Sequence, residues 1–148
     1  MARGLVVTGT PEADPLAVLH GVRRIALVGA SQDPTRPSHD VMAFLLDRGY
    51  TVLPVSPRAA GGTILGQPVH ASLAEVPGPI DMVDVFRRSE AVPEVVADIL
   101  ACSEAKAIRV LWLQLGVRHA EAEATAVASG LTVVADRCPK IELQRASP

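Results

Sequence analysis

The stretch Arg24-Ile25-Ala26-Leu27-Val28-Gly29-Ala30-Ser31-Gln32-Asp33-Pro34-Thr35-Arg36-Pro37-Ser38 decides the fold. An apolar run, Ile25 to Val28, stops at Gly29-Ala30-Ser31, and a loop with two prolines and an arginine follows. Beyond it, Val41, Met42, Leu45 and Leu46 fall on one face of a 3.6-residue repeat. Ser38 reads as the N-cap of that helix, and Gly49 stands where a left-handed C-terminal glycine belongs. The pattern is strand, small-residue turn, helix. Unpaired backbone N–H groups and the positive helix end then face a loop with little side-chain bulk, which suits a phosphate group. A tight crossover that binds nothing is the plain alternative, because a lone glycine turn is weak evidence. Arg36 and Ser38 favour the anion, since a cation and a hydroxyl at a helix entrance both donate to phosphate oxygens.

The rest of the chain repeats that alternation. Before it, Leu16, Val18, Leu19 and Val22 follow a polar lead and predict a helical arm over 1–22. After it, Thr51 to Val55 predicts a second strand, with Pro54 placing it at a sheet edge. Residues 59–79 carry Gly61, Gly62, Gly66 and three prolines, an irregular crossover with one helical turn at Ser72–Glu75. Asp81 to Phe86 predicts a third strand, and Val92, Val95, Val96, Ile99 and Leu100 mark one face of the next helix. Ala107 to Leu113 and Leu131 to Ala135 predict two more strands, separated by an alanine-rich helix over about 119–129 that stops at Gly130. Strands alternating with helices imply an α/β, doubly wound, mostly parallel sheet of about five strands, Rossmann-like, in one domain over 23–143 with a tail over 144–148.

Composition narrows the function. The 148 residues are 49% hydrophobic, which suits one well-packed domain. A net charge of −2 and 3% aromatics argue against a nucleic-acid surface. No apolar run reaches the roughly 18 residues of a membrane span, and Arg3 is not followed by the apolar core of a secretory signal. Two cysteines, Cys102 and Cys138, make a disulfide framework implausible and point to a reducing cytoplasm. Protein partners and oligomeric state stay open.

Every strand ends in something polar, namely Ser31, Ser56, Arg87, Gln114 and Asp136, and in an open sheet these ends meet at one crevice. The turn at Gly29 lacks the second and third glycines of the dinucleotide fingerprint. The second strand ends in Val55-Ser56-Pro57, where an acidic residue would hold ribose hydroxyls, and Arg58 follows. NADP and coenzyme A fit that arrangement; NAD does not.

Gly29-Ala30-Ser31, Pro34, Arg36-Pro37-Ser38, Val55-Ser56-Pro57, Ile64-Leu65-Gly66, Val83-Asp84-Val85-Phe86-Arg87, Trp112-Leu113-Gln114-Leu115-Gly116 and Asp136-Arg137-Cys138 occur in this order. Together, over residues 20–143, they resemble the stand-alone CoA-binding protein family (YccU-like), single Rossmann-type domains similar to the N-terminal domain of succinyl-CoA synthetase alpha subunits. The resemblance implies coenzyme A or an acyl-CoA in the crevice and no established reaction. By position, Gly29, Ala30 and Ser31 would form the diphosphate turn, and Arg36 and Ser38 would contact phosphate. Ser56 and Arg58 would flank the adenosine end, and Pro34, Val55 and Pro57 complete the motifs expected at the cofactor. Phe86 and Arg87 would line the adenine or pantetheine path, and Gln114 and Gly116 the far wall. Ser56 stands where the family usually has asparagine, and His70-Ala71 replaces a usual Tyr-Pro. The synthetases also need a phosphorylated histidine in a second domain, for which these residues leave no room, so ligase activity is not expected of this chain alone.

The remaining reactive groups are few. His20, His39, His70 and His119 are widely separated, with no Cys or carboxylate at metal spacing. Asp84 lies in an apolar strand and is expected to pair with an arginine or a loop N–H. Cys138, after Arg137, carries the alternative reading of an NADP- or CoA-linked redox enzyme. A cysteine packed beneath the last strand is the structural alternative. The leading expectation is a non-catalytic CoA-binding module.

Overall fold

The computed structural model describes residues 13–146, so most of the arm expected over 1–22 lies outside the described residues. What is described of it is α1 (Pro15–His20), whose N-cap Asp14 accepts the N–H of Leu16. The strands β1 (Arg24–Val28), β2 (Thr51–Val55), β5 (Met82–Val85), β6 (Val110–Leu113) and β7 (Thr132–Val134) form one parallel sheet in the order β2-β1-β5-β6-β7. The crossover between β2 and β5 holds a short antiparallel hairpin, β3 (Thr63–Ile64) and β4 (Gln67–Pro68). The helices are α2 (Pro37–Asp47), α3 (Val92–Lys106), α4 (Ala120–Ala128) and α5 (Pro139–Ala146).

Strand alternation sorts the core into two layers. Ile25 and Leu27 of β1, Met82 of β5 and Trp112 of β6 meet Val41, Met42 and Leu45 of α2 and Leu143 of α5. Ala26 and Val28 of β1 and Val83 and Val85 of β5 meet Val92, Val95, Val96 and Ile99 of α3 and Ala122 and Ala126 of α4. The sheet is therefore covered on both faces, as parallel strands rich in Val, Ile and Leu require. From β1 the chain leaves over one face to β2, and from β5 it leaves over the other face to β6. The loops beyond β1 and β5 diverge at that point and open a crevice.

Several expected boundaries shift for local reasons. Ser38 is not the N-cap of α2: Arg36 takes that position in extended conformation without a side-chain cap, and Pro37 occupies the first turn. Gly49 does follow the helix with φ +95°. The fourth strand starts at Val110 because Ala107 is the left-handed C-cap of α3 (φ +58°). Pro54 sits in β2, the outer strand, where its missing N–H costs no ladder bond. Beyond β2, His70 donates its N–H to the Pro54 carbonyl and accepts the Ser56 N–H. Residues 144–146, expected as tail, continue α5, which docks on α2 through the Lys140–Asp40 ion pair at 2.7 Å.

Asp84 does not find the partner expected of it. In register it stands between Leu27 and Trp112, fully buried, and neither carboxyl oxygen accepts a hydrogen bond. Burial pushes its carboxyl well above the usual carboxylate range. Asp81, just before β5, shows the opposite balance. Burial opposes its charge, but the N–H groups of Arg24 and Arg23, each at 2.9 Å, and the Arg109 guanidinium at 3.5 Å hold the carboxyl below the usual value.

Candidate functional site

The turn after β1 is fixed from both sides. Phe86 donates its N–H to the Val28 carbonyl at 2.8 Å, so β1 and β5 stay paired to their ends. Gly29, at φ +91°, then passes directly over the Phe86 carbonyl, whose oxygen occupies the space a Cβ would need. On the other side, the Gly29 and Ala30 N–H groups both donate to the Val55 carbonyl, at 3.1 and 3.3 Å. This changes the expected donor set. Those two N–H groups are spent on the sheet, whereas the N–H groups of Ser31 and Ser38 have no partner among the described residues.

The following loop is bound to itself. Ser31 Oγ accepts the Asp33 N–H at 3.1 Å, and Asp33 Oδ1 accepts the hydroxyl of Thr35 at 2.7 Å and its N–H at 2.9 Å. Those two bonds, the hydroxyl's the stronger, keep the exposed Asp33 carboxyl below its usual range. The Asp33 carbonyl accepts the Arg36 N–H at 3.1 Å, which delivers Arg36 to the start of α2. Gln32 donates from Nε2 to the Thr63 carbonyl at 3.2 Å and ties the β3–β4 hairpin to the loop.

A crevice of about 830 Å³ opens above the carboxyl ends of β1, β2 and β5. Gly29, Ala30, Ser31, Arg36 and Ser38 line one side; Val55, Ser56, Pro57 and Arg58 another; Phe86 and Arg87 a third. Thus eleven of the fourteen residues expected from the sequence border one space. Pro34, Gln114 and Gly116 do not. Pro34 is exposed on the loop, and Gln114 is buried with Oε1 unpartnered. Gly116, at φ +79°, donates its N–H to Asp136 Oδ1 at 2.7 Å beyond β6.

Two serines within the crevice are more than nine-tenths buried, Ser38 at 5% exposure and Ser56 at 8%. Their hydroxyls have no hydrogen-bond partner among the described residues. Neither hydroxyl is among the fully enclosed polar atoms, so both are open to a polar atom entering the crevice. The guanidinium groups of Arg36, Arg58 and Arg88 form no ion pair within the described residues. Arg87 does, donating from Nη1 to Glu94 Oε1 at 2.8 Å.

The fourth side was missed from the sequence. Ala71, Ser72 and Leu73, and Ala91, Glu94, Val95 and Asp98 of α3, also line the crevice, and Leu73 shares a core cluster with Val95. The signal was present: α3 leaves β5 at the switch point, and Glu94 and Asp98, four residues apart, flank its apolar stripe.

The reactive groups outside the crevice offer less. Cys138 is buried at 5% exposure among the core residues between the sheet and α5 and does not line the crevice. Among the described residues no cluster of His, Cys, Asp or Glu could hold a metal ion, and no helix is long and apolar enough to cross a membrane. His119 caps α4 by accepting the Ala122 N–H at Nδ1, 3.2 Å.

A family profile described as CoA binding domain matches residues 23–144. The uncharacterized protein YneT of Bacillus subtilis (strain 168) is 38% identical over 130 residues, covering 88% of this chain and 92% of that protein. The structure of cell-free ID.343 from Thermus thermophilus superposes with a TM-score of 0.83 at 38% identity, over 91% of this chain and 100% of that one. The dinucleotide-forming acetyl-coenzyme A synthetase 1 of Ca. Korarchaeum cryptofilum shares the fold at a TM-score of 0.62 and 23% identity. That likeness spans 75% of this chain and 25% of the synthetase.

Proposed function

The chain belongs to the family of CoA binding domains, and from that premise we propose that it binds coenzyme A or an acyl-CoA in the crevice beside Gly29, as a binding module and not as an enzyme. The observation that carries this reading is the convergence in one space of Ser38 and Ser56, whose hydroxyls have no hydrogen-bond partner among the described residues, with Arg36, Arg58 and Arg88, which form no ion pair among them. The site fits the group. A diphosphate would lie against the bare backbone of the Gly29 turn, with the N–H groups of Ser31 and Ser38, the Ser38 hydroxyl and Arg36 as donors. Ser56 and Arg58 would flank the adenosine end, and Phe86 would offer an apolar surface to the rest. No carboxylate follows β2 at Val55-Ser56-Pro57, which leaves Arg58 free for the additional phosphate of coenzyme A.

The redox alternative draws no support from Cys138. A thiol this buried cannot exchange with a ligand thiol unless the packing around it opens.

The test is calorimetric titration with coenzyme A of the wild-type protein, Arg36→Ala and Ser38→Ala. Arg36 is exposed and Ser38→Ala removes one oxygen, so both variants are expected to keep their melting behaviour. Loss of one charge-assisted contact should weaken binding roughly ten-fold in Arg36→Ala. Unchanged affinity in both variants would remove the phosphate from this turn.

A further inference from the structure

Arg36, Arg58, Arg87 and Arg88 border the crevice, and Arg87 is the one among them that forms an ion pair within the described residues. Its position follows from the turn. The Arg87 Cγ lies 3.2 Å from the point where a Gly29 Cβ would stand, so the stem rests against the diphosphate turn assigned above. Its head then reaches the first turn of α3, where Nη1 donates to Glu94 Oε1 at 2.8 Å. Both residues line the crevice, and the carboxylate stands in the role of an anionic ligand.

We propose that Glu94 is an internal substitute for a ligand phosphate: it holds Arg87 at the crevice of the free protein and gives it up when a phosphate-bearing ligand enters. This deepens the coenzyme A reading and rests on it. Arg36 and Arg58 are donors without an ion pair to break, whereas Arg87 is an exchanged donor, whose contact with phosphate replaces an existing pair. The pair is exposed at both ends, 40% for the Arg87 side chain and 67% for Glu94. Breaking it is therefore a modest cost that tunes affinity without closing the site. The cost of releasing Glu94 falls on every ligand that takes Arg87, so the pair lowers the affinity for any such phosphate-bearing ligand.

Asp98 provides the internal control. It lies one helical turn further along α3 and forms no ion pair among the described residues, so Asp98→Asn removes an equal charge without releasing a guanidinium among them.

The experiment is a double-mutant cycle of wild type, E94Q, R87A and R87A/E94Q, with D98N alongside. Each protein is titrated with coenzyme A and with inorganic pyrophosphate at low salt, and its fold is checked by thermal melting. E94Q should tighten both ligands by about two- to five-fold. R87A should weaken coenzyme A, and the E94Q gain should vanish in the R87A background. D98N should raise either affinity by less than E94Q does.

No gain in E94Q overturns the proposal. So does the same gain with R87A present, or a D98N gain as large as that of E94Q, since the carboxylate would then act only through its field. Pyrophosphate binding with silence toward coenzyme A overturns the ligand reading but leaves the exchange measurable on pyrophosphate. Silence of the wild-type protein toward both overturns the two together.

Discussion

No side chain fits at Gly29, because the carbonyl oxygen of Phe86 stands where its Cβ would be. The relationship follows from pairing β1 and β5 to their last residues, and it leaves bare backbone at the mouth of the crevice. Gly29→Ala therefore meets two penalties, a left-handed φ of +91° and a clash with main chain. The expected loss is roughly 2–4 kcal/mol, a drop in melting temperature of about 5–15 °C for a domain this size. Differential scanning calorimetry reads it directly. A variant melting within a degree of wild type would mean that the turn is free to move.

Asp84 sets a pH dependence of one sign. Its carboxyl is raised by burial, so the native state keeps a proton that the unfolded chain, titrating near 3.8, gives up. Below that value both states hold the proton and the penalty for burying a charge is absent. Stability is then lost at about 1.4 kcal/mol per pH unit until the native group ionises. Asp84→Asn removes the titration. In urea unfolding between about pH 4 and pH 7, the variant should gain on wild type as pH rises. A difference that stays constant over that range would place a partner on Asp84 that these contacts lack.

Asp81 works in the opposite direction. Burial opposes its charge, but the N–H groups of Arg24 and Arg23 and the Arg109 guanidinium hold the carboxyl below 3.8. The stability it brings is present above the unfolded value and lost as pH falls through the native one. Asp81→Ala should cost about 1–3 kcal/mol at neutral pH, and the gap to wild type should narrow in acid. Denaturant midpoints at about pH 7 and pH 3 decide the matter; a gap that widens in acid would contradict the assignment.

The two thiols should react in order of access. Cys102 is half-buried on α3, where burial first, and Asp98 to a lesser extent, raise its thiol above the ordinary value against the pull of Lys106. Cys138 is buried in the core beneath the sheet. A disulfide reagent should label Cys102 slowly in the folded protein and reach Cys138 only on unfolding. Cys138→Ala should keep the affinity for coenzyme A. Rapid labelling of Cys138, protected by coenzyme A, would revive the redox reading.

Much of this site was legible in the sequence, for a physical reason. An apolar run ending in Gly29-Ala30-Ser31 before a helical repeat admits few other structures, and the carboxyl ends of parallel strands must gather. What stayed hidden depends on tertiary placement. The β3–β4 hairpin turns at Leu65-Gly66, both at positive φ, and leucine is not a residue that announces such a turn. α5 is eight residues long and is held by docking, through Leu143 in the core and Lys140 on Asp40. Gln114 and Gly116 end their strand as a crevice residue should, yet β6 lies one strand beyond the switch point. The unpartnered carboxyl of Asp84 has no signature in sequence at all.

The measurement that tests the central claim most directly is parallel calorimetric titration of the wild-type protein with coenzyme A, dephospho-coenzyme A, NADP and NAD. The account predicts binding of coenzyme A, weaker binding without the additional phosphate that Arg58 is placed to meet, and no binding of NAD. Preference for either nicotinamide dinucleotide, or silence toward coenzyme A, would contradict it.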